Sequence, residues 1–149
     1  MRNNMTEKYR AKRKHDGEWA YGYYVDYYRG AMIMSPLVIG EGINTVVETP
    51  VDPDTLSRCS GLTACGQEVY EGDIIRFHID HTAEFWTAVV RFGWHDGGYY
   101  GWYLEPIRDT LIAKRIGLWL GDNTAFGCTA AVIGNVWDNP ELMEEKHNG

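Results

Sequence analysis

From Glu18 to Tyr28 the chain reads Glu-Trp-Ala-Tyr-Gly-Tyr-Tyr-Val-Asp-Tyr-Tyr, an aromatic and β-branched run that suits a strand. Under the two-residue period Trp19, Tyr21, Tyr23, Val25 and Tyr27 share one side, and that side is expected to face the core. Arg29-Gly30 marks a turn, residues 31–39 a second strand closing near Gly40-Glu41-Gly42, and residues 43–49 a third. Consecutive strands joined by short turns predict an antiparallel meander, whose sheet edges would be natural places for subunits to pair. At residues 51–56 the pattern breaks. Pro53, flanked by acids that can cap a turn, is read as part of a connector between two units, residues 1–58 and 59–149.

The second unit opens with a polar turn through Cys65-Gly66. Gly72-Asp73 then forms a turn feeding the apolar run Ile74-Ile75. Residues 83–94 predict a further strand, Asp96-Gly97-Gly98 a hairpin turn, and residues 99–104 its return. These lengths fit a small β-barrel. Residues 106–115 hold both helical and extended spacing and are read as strand or irregular structure, and 116–120 as strand. Residues 131–137 predict the last strand, followed by a short carboxy-terminal helix that Asn139 would cap, with Pro140 at its first position.

Composition supports the mainly β reading. Ten Tyr, six Trp and seventeen Gly among 149 residues favour short twisted strands over a helical bundle, and the length leaves room for one compact unit or two small ones. No apolar run approaches the roughly 18 residues of a membrane-spanning helix, and the polar amino terminus lacks a signal-peptide core. A soluble, cytoplasmic protein is the expectation. Cys59, Cys65 and Cys128 form neither a C-x-x-C pair nor an even disulfide framework, consistent with reduced thiols.

Charge is uneven. The first fourteen residues hold six basic side chains (Arg2, Lys8, Arg10, Lys12, Arg13 and Lys14) against Glu7, a net +5, leaving eight basic and twenty acidic residues elsewhere, a net −12. A phosphate backbone would be repelled everywhere except at this amino-terminal arm. Lys8, Arg10, Lys12, Arg13 and Lys14, with Tyr9, Trp19 and Tyr21 nearby, are the candidate nucleic-acid residues, to be set against an ordinary solvated chain end.

Several ordered blocks resemble the YopX family: residues 9–13 and 17–23, Val51-Asp52-Pro53-Asp54-Thr55, Ser60-Gly61-Leu62, Glu68-Val69-Tyr70-Glu71-Gly72-Asp73-Ile74-Ile75, and residues 132–142, Val-Ile-Gly-Asn-Val-Trp-Asp-Asn-Pro-Glu-Leu. Residues 86–129 carry no matching landmark. The resemblance implies a phage- or prophage-encoded protein with an amino-terminal β-sheet domain and a carboxy-terminal barrel similar to SH3-type barrels, assembled into oligomers. It implies no activity, and no catalytic or metal residue to carry over. Where the family has Thr before Gly-Leu and a longer turn with Asn-Gly, this chain has Ser60 and Thr63-Ala64-Cys65-Gly66-Gln67.

The remaining chemistry is sparse. His78, Asp80 and His81, with Glu84, His95 and Asp96 near in sequence, are the only residues of metal-ligating type in a cluster. Their spacing fits no established zinc motif, and a polar strand end explains them equally well. Tyr99, Tyr100, Trp102 and Tyr103 sit among glycines and could line a partner surface or build the core. Gly72-Asp73 and Gly121-Asp122-Asn123 lack the residues of a phosphate loop, so no cofactor is implied. Ser57 and Ser60 lie outside any nucleophile elbow. The expected function is a non-enzymatic protein-interaction or self-assembly module, a homo-oligomer engaging a host or phage protein, with no membrane partner. A nucleic-acid-binding factor using the basic arm, or a metal-dependent hydrolase built on His78, Asp80 and His81, are the alternatives.

Overall fold

A computed structural model describes residues 8–38, 44–78, 85–95, 98–107 and 130–147. The chain is mainly β, with two sheets and two compact units, residues 1–59 and 60–149. The readings at 79–84 and 108–129, including the strand expected at 116–120, lie outside the described residues.

In the first unit, β1 (Tyr9–Arg13), β2 (Trp19–Tyr27), β3 (Gly30–Val38) and the first part of β4 (Asn44–Ala64) pair antiparallel in chain order. β1 also pairs with β4, closing a ring of pairings. The meander therefore does not end in two open edge strands, contrary to the expectation that its edges would pair subunits. Tyr28-Arg29 is the tight turn between the register partners Tyr27 and Gly30.

The core face of β2 is the reverse of the one expected. Ala20 and Tyr24, at even positions, pack with Ala11, Ala31, Ile33 and Val51, while Tyr21 and Tyr23 stand 45% and 47% exposed. The period of two was correct but the side was not, because β2 passes so close to β3 at Gly22 that an added Cβ would strike the Met34 carbonyl. Glycine is therefore required at position 22 of this inward side, between Ala20 and Tyr24.

Residues 51–56 are not a connector but the middle of the 21-residue β4. Proline cannot donate to a ladder, and it is tolerated here because the β1–β4 register shifts between Arg10 and Lys12. The Lys12 amide donates to Thr55 Oγ1 (2.8 Å), and that hydroxyl donates onward to the Asp52 carbonyl (2.7 Å). One side chain patches the gap in the ladder.

In the second unit the end of β4 turns through Cys65-Gly66 into β5 (Gln67–Tyr70). Both turn residues have positive φ, 49° and 84°, the twist that two-residue hairpins require. A four-stranded antiparallel sheet follows in the order β8-β7-β6-β9, built from β6 (Asp73–His78), β7 (Phe85–His95), β8 (Tyr99–Pro106) and β9 (Ala130–Asn135). Alternation buries both its faces. Ile75, Ala88, Val90 and Leu104 pack with Ala64 and Val69 of the hairpin, and Ile74 and Val89 pack with Ile107, Val136, Leu142 and Met143.

The carboxy-terminal helix is a 3-10 helix, Pro140–His147. Asn139 stands at the cap position as expected, its carbonyl accepting from the Leu142 amide (3.1 Å), but its side chain bonds elsewhere. Its Oδ1 accepts from the Asn135 amide at 3.2 Å, closing the preceding turn instead.

Candidate functional site

The basic stretch is a strand inside the ring of pairings, not an arm. Alternation puts Tyr9 and Ala11 toward the core and Arg10 and Lys12 on the opposite face, where their β2 partners are Tyr21 and Trp19. Arg10 is buried, with its guanidinium 4.4 Å from the Trp19 ring centroid, and the Lys12 ammonium lies 5.3 Å from the same ring. Each such contact contributes about 0.5–2 kcal/mol, more as it is desolvated. Lys8 and Lys14 lie at the two ends of the strand, both exposed. The pattern Lys8-Tyr9-Arg10-Ala11-Lys12, read with period two, carries the signal of an amphipathic strand that attention to net charge passes over.

Arg13 is committed locally. Its Nε and Nη2 donate to the Asp16 carboxylate at 2.9 and 2.7 Å, and Asp16 Oδ1 also accepts from the Glu18 amide at 3.0 Å. The Glu18 amide, with Arg13 behind it, holds the Asp16 carboxyl below its ordinary range. A depressed folded-state pKa means the contribution is complete above the ordinary carboxylate range and is lost as pH falls through the lowered value. The Glu18 amide is therefore expected to lose its downfield NMR shift in acid, and to lack it at neutral pH in Asp16→Ala.

The aromatic residues of the second unit divide between two faces. Register pairs Val90 with Leu104, Phe92 with Trp102 and Trp94 with Tyr100, all on one face, while Tyr103 pairs with Arg91 on the other; the side chain of Tyr99 lies outside the described residues. On the first face the rings form a ladder: Trp102 to Phe92 at 5.1 Å, Phe92 to Tyr100 at 5.4 Å and Tyr100 to Trp94 at 5.2 Å, each edge-on. It starts in the core, where Trp102 packs on the buried Val90–Leu104 layer, and ends in solvent with Tyr100 57% and Trp94 71% exposed. Of the four residues singled out, Tyr100 is thus surface, Trp102 is anchored in the core, and Tyr103 is half-buried on the other face. Phe92 and Trp94 were missed. Counting outward from the turn expected at Asp96-Gly97-Gly98 would have found them, since the β7–β8 register sets Trp94 opposite Tyr100.

His78 ends β6, and Asp80 and His81 lie outside the described residues. Among the described residues, no group of three or more His, Cys, Asp or Glu side chains could hold a metal ion, and no helix is long and apolar enough to cross a membrane.

These features define a two-unit, mainly β protein that, among the described residues, exposes the rings of Tyr21, Tyr23, Trp94 and Tyr100 on its strands. The chain belongs to the YopX family: the family model described as YopX protein matches residues 8–144. No curated protein matches. Among solved structures, the crystal structure of protein EF1440 from Enterococcus faecalis is similar, at 19% identity and a TM-score of 0.49, covering 95% of this chain and 100% of that one.

Proposed function

We propose that this protein is a non-enzymatic phage or prophage accessory factor acting in the host cytoplasm, and that it associates with itself and with a protein partner through Trp94 and Tyr100. The observation that carries this reading is the exposure of two large rings, 71% and 57%, at the end of a ladder fixed in the core. Rings already held in place lose little side-chain entropy on binding, so more of their apolar area converts to affinity. Such clusters are the usual centres of protein interfaces.

Charge argues for the kind of partner. Residues 60–149 hold six basic and thirteen acidic side chains, a net −7, so the partner protein that fits this unit is neutral or basic and a phosphate backbone does not fit, while the pairing of two copies works against like charge and should strengthen as salt screens it. Among the described residues β8 pairs only with β7, which supports pairing of two copies beside the rings. The short strands and the hairpin packed over the sheet support reading this unit as an SH3-type barrel that presents its ligand surface on strands.

Sedimentation across a concentration series tests the reading. The intact protein is expected to associate, and the Trp94→Ala/Tyr100→Ala double variant to associate at least about 30-fold more weakly. Both rings stand at the solvent end of the ladder, so the variant should stay folded, losing only the Phe92–Tyr100 and Trp94–Tyr100 ring contacts, about 0.5–1.5 kcal/mol each. An intact protein that stays monomeric throughout would overturn self-assembly, and an unchanged variant would move it off this face.

A further inference from the structure

We propose that the face of residues 1–59 carrying Trp19, Tyr21 and Tyr23 is a second binding site, separate from the Trp94–Tyr100 surface, and that it takes single-stranded nucleic acid. The three rings occupy alternate positions of β2, about 7 Å apart along the strand. Tyr21 and Tyr23 stand 45% and 47% exposed while the opposite side of the same strand supplies the core. The exposed Tyr21 and Tyr23 rings are a stacking surface for unpaired bases, sequence-tolerant because every base has a π-face, and Trp19, under the Arg10 guanidinium, ends the row.

Charge lies where such a ligand needs it. β1 runs beside β2 with Arg10 opposite Tyr21 and Lys12 opposite Trp19, and the exposed Lys8 and Lys14 bracket the strand. Arg10, 6% exposed and stacked on Trp19, fixes that ring and raises the local potential rather than touching phosphate. Lys8, Lys12 and Lys14 are the phosphate contacts. Residues 1–59 hold eight basic and eight acidic side chains against the net −7 of residues 60–149, so the basic strand is the place in this chain where an anionic backbone meets the least repulsion. Glu48, opposite Met34 on β4, bounds the site on its far side. Paired bases hide their faces in the stack, so the rings discriminate against duplex.

The test is fluorescence anisotropy with a labelled oligo-dT, an oligo-rU, a duplex of equal length and a poly-glutamate peptide, at low and near-physiological salt, on the full chain. Deleting the first fourteen residues is unsuitable because it removes β1 and opens the ring of pairings. Substitutions serve instead. Saturable binding to the single strands is expected, weakened about 30-fold or more by Tyr21→Ala/Tyr23→Ala. In Lys12→Gln/Lys14→Gln the log–log salt slope should fall by about 1.4. No saturable binding at low salt, an effect of neither pair of substitutions, or equal affinity for duplex or poly-glutamate would each overturn the proposal. The Trp94→Ala/Tyr100→Ala variant should bind the oligonucleotides as the intact protein does, which keeps the two surfaces distinguishable.

Discussion

Gly72→Ala is expected to lower the stability of residues 60–149 by about 2–5 kcal/mol, read as a shift of the urea midpoint at constant slope. Two costs combine. Gly72 has φ 88°, a left-handed backbone that charges a side chain about 1–2 kcal/mol, and its Cβ would enter contact with Cζ3 and Cη2 of Trp137. The backbone cannot yield, because the Gly72 amide donates to the Val90 carbonyl (2.7 Å) and its carbonyl accepts from the Val136 amide (2.9 Å). Gly66→Ala is the matched control: φ is 84°, and no heavy atom lies within 4 Å of the added methyl. It should cost only the backbone share, about 1–2 kcal/mol, and the difference between the two variants measures the contact with Trp137. Equal losses would show that the ring gives way.

Gly72 also illustrates what could be read in advance. Gly72-Asp73 was legible as a turn because both residue types have a local reason to be there. The Asp73 carboxylate does bond a nearby amide, but that of Tyr70 upstream (2.8 Å), and the Trp137 ring seated on Gly72 comes from 65 residues away. The Cys65-Gly66 and Gly72-Asp73 turns and the alternation of β2 are local properties and were visible, whereas β1, read as an arm, and the middle of β4, read as a connector, were not. Which side of β2 faces inward was not, since it is decided by the approach of Met34 to Gly22 across a strand pair. Pro53 misled for a similar reason: its missing donor falls at a register shift that exists only once β1 lies against β4.

The aromatic surface was half legible. Residues 99–103 were singled out by composition alone, which cannot tell Tyr100 from Tyr103 until the strand has a face and a partner. Register supplies both, and brings in Phe92 and Trp94. The family blocks in the second unit, by contrast, hold the fold: Gly72 of one block meets Val136 and Trp137 of another, and Asp73 lies in register with Asn135. Trp94 and Tyr100 fall in the interval that carries no family landmark, so the resemblance pointed to architecture and left binding to be argued from exposed rings.

The other block provides the second large effect. Asn135→Ala is expected to cost about 2–4 kcal/mol, because one buried side chain closes the turn that leads from β9 to the terminal helix. Asn135 Oδ1 accepts from the amides of Trp137 (3.0 Å) and Asp138 (2.9 Å), and Nδ2 donates to Asp138 Oδ2 (3.0 Å). Truncation strands two amides and a carboxylate oxygen in a part-buried turn, and each unsatisfied group costs about 1–3 kcal/mol, less what water recovers. The same turn seats Trp137 on Gly72 and sends Leu142 and Met143 back over Ile74 and Val89. Asn135→Asp separates the hydrogen bonds from the shape. It keeps both accepting bonds but faces Asp138 with a second carboxylate, so its deficit should be largest at neutral pH and shrink as the pair is protonated in acid. The alanine deficit should show no such relief. Urea titrations of both variants at neutral and acidic pH decide the point, and parallel losses at the two pH values would show that the Asn135–Asp138 contact contributes nothing to the turn.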